Sequence, residues 1–318
     1  MSLESYIRKM QQLVVNQAYG RASPHKICMV LAVFDLARSG GLTCNRIFFS
    51  PDLKARYKRY FDAVRSPQDH ANPHFPFFHL QGQLRQHTPS FWHLVPYEGR
   101  EAVVAAMSTA TAARAIEDNI AWAALDEELF ALLQDPASRE VLAESLASHW
   151  FDRGLQDLYA VVEQGKQISR YEQAIRGLTL DAPAVREMPA AVRDPAFRRV
   201  VTEKYDYRCA ATGLRLLLSD GTAMVEAAHI HPFSESADDD PRNGLALTPD
   251  MHWAMDKYLI APGPDFKWHV SSLLDDRIPD NRLLTDLKGK ALFLPAEMRF
   301  YPKQEVLDWR LEVMRRNQ

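Results

Sequence analysis

EAAHIHPFSESADDDPRNGLALTPDMHWAMD, residues 226–256, gathers three histidines, one asparagine and seven acidic residues in a single stretch. MVEAAHI (224–230) reads as a short strand that ends at histidine, and TPD at Thr248–Asp250 caps a helix. His252 and Asp256 stand four apart, so a helix projects both from one face, one turn apart, where they can grip one metal ion. His229, at the strand end, faces that ion across the loop. Asn243, just before Gly244, can hydrogen-bond across the loop or orient the histidine. Carboxylate, imidazole and water suit a divalent ion such as Mg²⁺, Mn²⁺, Ni²⁺ or Zn²⁺. An ion on a phosphate oxygen, beside a histidine that deprotonates water, is equipped to cut a phosphodiester. The same reading leaves His231 as a bystander or a phosphate contact and Asp238, Asp239 and Asp240 as a solvated loop.

Around that stretch the chain is ordinary for a globular protein. Its 318 residues are long for one core, which predicts two domains. Hydrophobic residues make up 47% and charged residues 25%, and no apolar run reaches the roughly 18 to 20 residues of a membrane span. MSLESYIRKMQQLVV is patterned as an amphipathic helix and not as a signal peptide. Cys28, Cys44 and Cys209 stand apart without a CxxC pair, which excludes a zinc ribbon or a disulfide framework and fits the cytoplasm. A net charge of −3 means that any nucleic-acid role rests on local patches.

One such patch is LKARYKRYFDAVR (53–65), with Lys54, Arg56, Lys58, Arg59 and Arg65 interleaved by Tyr57, Tyr60 and Phe61. At helical spacing the aromatics can face a core and the bases face phosphates, or the whole is a solvated helix face. SPHKICMVLAVFDLARSGG predicts a helix started by Ser23–Pro24 and stopped by Gly40–Gly41. RIFFS (46–50) is strand-like, and Ser50–Pro51 opens the basic helix. NPHFPFFHLQGQLRQHTPSFWHLVPY (72–97) predicts an aromatic hairpin. His74, His79, Gln81, Arg85 and His87 on or near it could meet bases and phosphates, while Phe75, Phe77, Phe78 and Trp92 favour a core. From 100 to 165 the apolar spacing is helical, broken at Asp135–Pro136. TLDAPAVREMPAAVRDPAF (179–197) reads as a linker, and the tail adds a strand at FKWHV and a closing helix, QEVLDWRLEVMRR.

Taken together, YDYRCAATG, EAAHIHP, RNGLAL and MHWAMDKYLI closely resemble the HNH endonuclease motif with its ββα-metal fold, over about residues 195–315. That resemblance makes His229 the general base, Asn243 the loop asparagine, His252 the helix metal ligand and Asp256 a second helix ligand. Many members carry a ligand immediately before the base, where this chain has Ala228; Glu226, two residues back on the same strand face, is a tentative replacement. Cys209 is followed by Ala-Ala-Thr, so the structural zinc of many HNH proteins has no ligands here.

SPHKICMVLAVF, RIFFS, NPHFPFFHLQ and FWHL together look like the sulfur-binding domain that precedes HNH modules in modification-dependent restriction enzymes, over about residues 5–165. In that family the domain reads phosphorothioate DNA through an apolar pocket and a few polar side chains. Its PFWRL-like stretch stands here as PFFHL, with His79 in place of an arginine. Its Tyr-Phe-Pro-like segment stands as HWFDRG (149–154), without the proline.

The expected architecture is α+β: a mixed α/β DNA-recognition domain at 1–175, a linker at 176–194, and a ββα-metal HNH nuclease domain at 195–318. The expected catalytic residues are His229, Asn243 and His252; the metal ligands are His252, Asp256 and Glu226; the DNA contacts are Lys54, Arg56, Lys58, Arg59, His79, Gln81 and Arg85. The partner is duplex DNA, modified by the resemblance, and the biology it implies is defence. A homodimer fits, because cutting both strands needs two such sites. Two rivals remain: a reader of modified DNA whose nuclease fold is degenerate, and an interaction module in which the ββα unit is structural.

Overall fold

The structure is a computed structural model that describes residues 2–18, 21–151, 155, 157–180 and 187–318. It divides into two compact units, Met1–Arg170 with Ser219–Thr222 and Tyr171–Leu218 with Ala223–Gln318. The α+β class holds, with helices around small antiparallel sheets. Among the described residues, no helix is long and apolar enough to cross a membrane.

In the first unit the chain runs α1 (Leu3–Gln11), the short strands β1 (Gln17–Ala18) and β2 (Arg21–Ala22), α2 (His25–Arg38), α3 (Pro51–Val64) and α4 (His74–His79). Strand β3 (Trp92–Pro96), α5 (Glu101–Ala106), α6 (Ala113–Glu117), β4 (Ile120–Leu125), α7 (Glu127–Gln134), α8 (Pro136–Phe151) and the start of α9 (Leu158–Gly177) follow. Helix α2 is buried almost all round, from Ile27 to Arg38, and α3, α4, α7 and α8 pack against it. A helix apolar on every side belongs in the middle of a core. Ser50 caps α3 by accepting from the Leu53 amide at 3.2 Å, with Pro51 in the first turn, as the sequence predicts.

Three local readings change. NPHFPFFHL forms α4 and not a hairpin strand; Pro73 and Pro76 sit at its N-terminal end, where prolines are tolerated, and Phe77 and Phe78 are buried. NIAWAAL forms strand β4 and not helix, paired antiparallel with β3 in the register Trp92↔Leu125 to Val95↔Trp122. Long-range pairing here overrides the helical preference of alanine and leucine. RIFFS contributes only the single bridge Ile47↔Ala123.

The second unit carries the rest of α9, α10 (Ala190–Lys204), β5 (Glu226–His229), α11 (Phe233–Ser236), β6 (Gly244–Leu247) and α12 (Pro249–Asp256). It closes with β7 (Ile260–Pro262), β8 (Trp268–Val270), α13 (Arg282–Thr285) and α14 (Gln304–Arg316). Of the stretch read as linker, 181–186 lies outside the described residues, and Ala190 to Phe197 is helical in spite of Pro195. Burial of Val192, Ala196 and Phe197 on an alanine-rich segment outweighs the hydrogen bond that Pro195 cannot donate.

Strands β5 and β6 pair antiparallel, Glu226↔Leu247 to His229↔Gly244, and α12 follows directly, which makes a ββα unit. Helix α10 lies across both strands. A Cβ on Gly244 would come within 2.7 Å of Val201 and 2.8 Å of Phe197, so the close approach of α10 requires glycine there. Helix α12 buries Met251, Ala254 and Met255, an i, i+3, i+4 stripe that leaves His252 and Asp256 on another face.

Candidate functional site

The acidic run in the loop between β5 and β6 turns inward at Asp239 and Asp240, and this corrects the reading of Asp238–Asp240 as a solvated loop. Asp239 and Asp240 are buried. The Asp238 carboxylate accepts from the Asp240 amide at 2.8 Å, and Asp240 in turn accepts from the Arg242 amide at 2.8 Å. Lys303, just before α14, donates to both Asp238 and Asp240 at 3.0 Å. Burial would raise the Asp240 carboxyl, but the hydrogen bonds from Arg242 and Lys303 hold it below the usual range.

Asn243 clamps the loop from within. It is fully buried. Its Oδ1 accepts from the His231 amide at 2.9 Å, and its Nδ2 donates to the carbonyls of His231 (3.0 Å) and Asp238 (2.9 Å). The Ile230 amide donates to the Asn243 carbonyl at 2.9 Å, so the same residue continues the β5–β6 ladder. Asn243→Ala removes the three side-chain bonds and strips the His231 amide and the Asp238 carbonyl of that partner, while the backbone bond to Ile230 persists. It should lower stability by about 1–3 kcal/mol and disorder the segment carrying His229. Thermal unfolding and hydrogen exchange at His231 read both effects, and unchanged protection at that amide would rule the clamp out.

His229 stands at the end of β5, its ring stacked on Phe197 of α10 at 4.0 Å and tilted against Phe233 at 6.0 Å. Its Nε2 donates to Asp239 Oδ1 at 2.9 Å. His231 stacks on Trp309 at 3.9 Å, with Glu235 at 3.8 Å, which accounts for that side chain by packing. On α12, His252 Nδ1 meets Glu226 Oε1 at 2.7 Å, and its Nε2 lies 3.5 Å from Asp256 Oδ2. Ala228, on the strand face shared with Glu226, is fully buried. Arg310 of α14 joins the two halves: its Nη2 donates to the His229 carbonyl at 3.3 Å and lies 3.7 Å from Asp256 Oδ1. Burial lowers the Arg310 guanidinium from its usual range, against the pull of Asp256.

Among the described residues, no group of three or more His, Cys, Asp or Glu side chains is arranged to hold a metal ion. Glu226 and Asp256 approach opposite nitrogens of His252 and do not converge on one point with it. The donor chemistry nevertheless suits a divalent ion that keeps several waters. One ring nitrogen and one carboxylate can ligate, while the other carboxylate holds the second ring nitrogen, the usual support of a metal-bound histidine.

The DNA contacts expected in the first unit fare differently. Lys54 and Arg56 are buried and do not face outward. Lys54 pairs with Glu117 at 2.7 Å and lies over the Phe49 ring. Arg56 pairs with Asp52 at 3.0 Å and donates to the Asp35 carbonyl at 3.3 Å. Arg59 pairs with the buried carboxylate of Asp35. Lys58 and Arg65 are the more exposed charges of the stretch, and both pair with Asp62. The basic stretch is therefore an internal ion-pair face; its counter-charges at Asp35 and Glu117 are remote in sequence. Gln81 and Arg85 are exposed on the segment after α4. His79 donates to or accepts from Thr109 Oγ1 at 2.9 Å, and burial together with the Lys26 charge pushes it below its usual range. It lines a cavity of about 530 Å³ with His25, Lys26, His70, Asn72 and Phe75. Of HWFDRG, residues 152–154 lie outside the described residues.

Sequence reasoning missed Asp239, Tyr171, Arg193 and Arg310. The acidic run beside Asn243 was a signal for the first, but nothing in the run says which carboxylate turns inward.

Residues 209–261 match the HNH endonuclease family. No curated protein matches the chain. Among solved structures, a chain titled modification dependent TagI restriction endonuclease is similar at 18% identity and a TM-score of 0.30. That likeness covers 40% of this chain and spans 39% of that one. The family match falls on the strand, loop, strand and helix that hold His229, Asn243 and His252; residues 209–261 form an HNH endonuclease domain.

Proposed function

We propose that this protein is a divalent-metal-dependent DNA endonuclease whose first unit selects modified duplex DNA and whose HNH domain hydrolyses the phosphodiester. The observation that carries the reading is that one ββα unit holds His229 at a strand end and the Glu226–His252–Asp256 cluster, tied together through Arg310. His229 takes a proton from water, the water oxygen attacks phosphorus, and the bond to the departing sugar oxygen breaks, that oxygen ending protonated. One ring nitrogen of His252 and one of the carboxylates Asp256 and Glu226 would hold the ion, the other carboxylate steadying the second ring nitrogen, and the ion when bound would neutralise charge on the phosphate. Asn243 and the Asp240–Arg242–Lys303 contacts keep the loop rigid, so the imidazole is already placed. Selection by the first unit is supported by the cavity beside His79 and Lys26, whose volume of about 530 Å³ lies within the roughly 300–1,000 Å³ of ligand pockets. Cleavage of both strands calls for two copies.

The test is cleavage by the full chain of duplexes that are unmodified, methylated, hydroxymethylated, glucosylated or phosphorothioated, with Mg²⁺, Mn²⁺, Ni²⁺ or Zn²⁺. Metal-dependent cutting of one modified duplex above the unmodified one is the expected result. Selective binding without cutting under every metal would instead favour a reader with a degenerate nuclease fold. His252→Ala and Asp256→Ala should raise the metal concentration for half-maximal cutting by about 10- to 100-fold, with excess metal restoring Asp256→Ala better. Unchanged metal affinity of both variants by calorimetry would remove these residues from the ion's shell.

A further inference from the structure

We propose that Asp239 is the positioning residue of the HNH site: it holds the Nε2–H of His229 and so leaves the Nδ1 lone pair to take the proton from water. The inference rests on the nuclease reading above and assigns within it a residue outside the His-Asn-His constellation. Three observations carry it. The Asp239 carboxylate is buried, and its Oδ1 accepts from His229 Nε2 at 2.9 Å. Its second oxygen accepts from the Tyr171 hydroxyl of α9 at 2.9 Å and from Arg193 Nη1 of α10 at 2.7 Å. The ring it holds is pinned in plane by Phe197, with interplanar angle 2°.

A neutral imidazole has one N–H, so a carboxylate fixed at Nε2 selects the tautomer whose other nitrogen is the acceptor. Arg193 also lies over the Phe233 ring at 3.9 Å, which fixes its guanidinium against the aromatic wall of the same pocket. The groups facing this pair are thus Tyr171 from α9, Arg193 and Phe197 from α10, Phe233 from α11 and, at the His229 carbonyl, Arg310 from α14. Burial alone would push the Asp239 carboxyl up; hydrogen bonds from His229, Tyr171 and Arg193 outweigh it and keep the group ionised. An ionised carboxylate also stabilises the imidazolium that forms as the proton arrives, while Arg193 and Tyr171 prevent Asp239 from taking that proton itself.

The test uses the full chain with Mn²⁺, supercoiled plasmid and bis(p-nitrophenyl) phosphate, a probe that needs no DNA recognition. Asp239→Asn should lower kcat by about 10- to 1,000-fold, a share of the 10²–10⁴ that a general base contributes, with KM nearly unchanged. In the wild-type protein, long-range ¹H–¹⁵N correlations should show His229 protonated at Nε2 and bare at Nδ1, a readout independent of how the variants fold. An Nδ1–H tautomer, or wild-type kcat in Asp239→Asn beside an inactive His229→Ala, would overturn the positioning role and leave the nuclease reading standing. A His229→Ala protein that cuts both probes at the wild-type rate would instead overturn the nuclease reading itself.

Discussion

His229→Ala should reduce cleavage by about 10²–10⁴-fold, the contribution of a well-placed general base, and leave the fold intact. The ring is partly exposed at the end of β5 and is held by Phe197 on one face. Losing that stack costs about 0.5–1.5 kcal/mol, a small part of domain stability. Asp239 keeps two of its partners, Tyr171 and Arg193, so the substitution does not strand a buried charge. The loss should therefore fall on kcat, with affinity for DNA little changed. Single-turnover cleavage with Mn²⁺ or Mg²⁺ measures it. Near wild-type turnover would show that another group takes the proton.

Asp35→Ala should destabilise the first unit by about 3–5 kcal/mol, the cost of removing one partner from a buried ion pair. Asp35 sits in the last turn of α2 with no exposed surface. Its carboxylate faces Arg38 Nη1 at 2.5 Å and Arg59, while Arg38 also reaches Glu140 at 2.8 Å. Without Asp35, the Arg59 guanidinium loses its buried partner. The pair raises both arginines above their usual range in spite of the burial that lowers them, so both stay charged at any pH the protein survives. Replacing Asp35 and Arg59 together by apolar residues of similar volume should recover much of the loss, because no charge is then stranded. Lys58→Ala, on the exposed side of α3, should move stability by less than about 0.5 kcal/mol. Urea unfolding followed by hydrogen exchange in α2 and α3 reads all three, and a cost below that of Lys58→Ala for the Asp35 change would refute the network.

Some of this protein was written locally in the chain. Strand β5, helix α12 and closing helix α14 follow from a short apolar run, from Thr248–Pro249 with an i, i+3, i+4 stripe, and from amphipathic spacing in QEVLDWRLEVMRR. The histidine at the strand end, the asparagine before Gly244 and the histidine one turn above Asp256 were legible because their spacing is set by the elements that bear them. Residues whose partners are remote in sequence could not be read that way. NIAWAAL became strand β4 because β3 pairs with it, and the basic face of α3 turned inward because Asp35, Asp52 and Glu117 meet it. Asp239 became the partner of His229 by the same route. Asp238, Asp239 and Asp240 are chemically equivalent in the sequence, and only the packing of α9 and α10, which bring Tyr171, Arg193 and Phe197 to that loop, decides which of the three is buried against the imidazole. Periodicity and capping act over a few residues and are readable from the chain; ion pairing and burial act between segments far apart in sequence, and the tertiary structure alone brings those together.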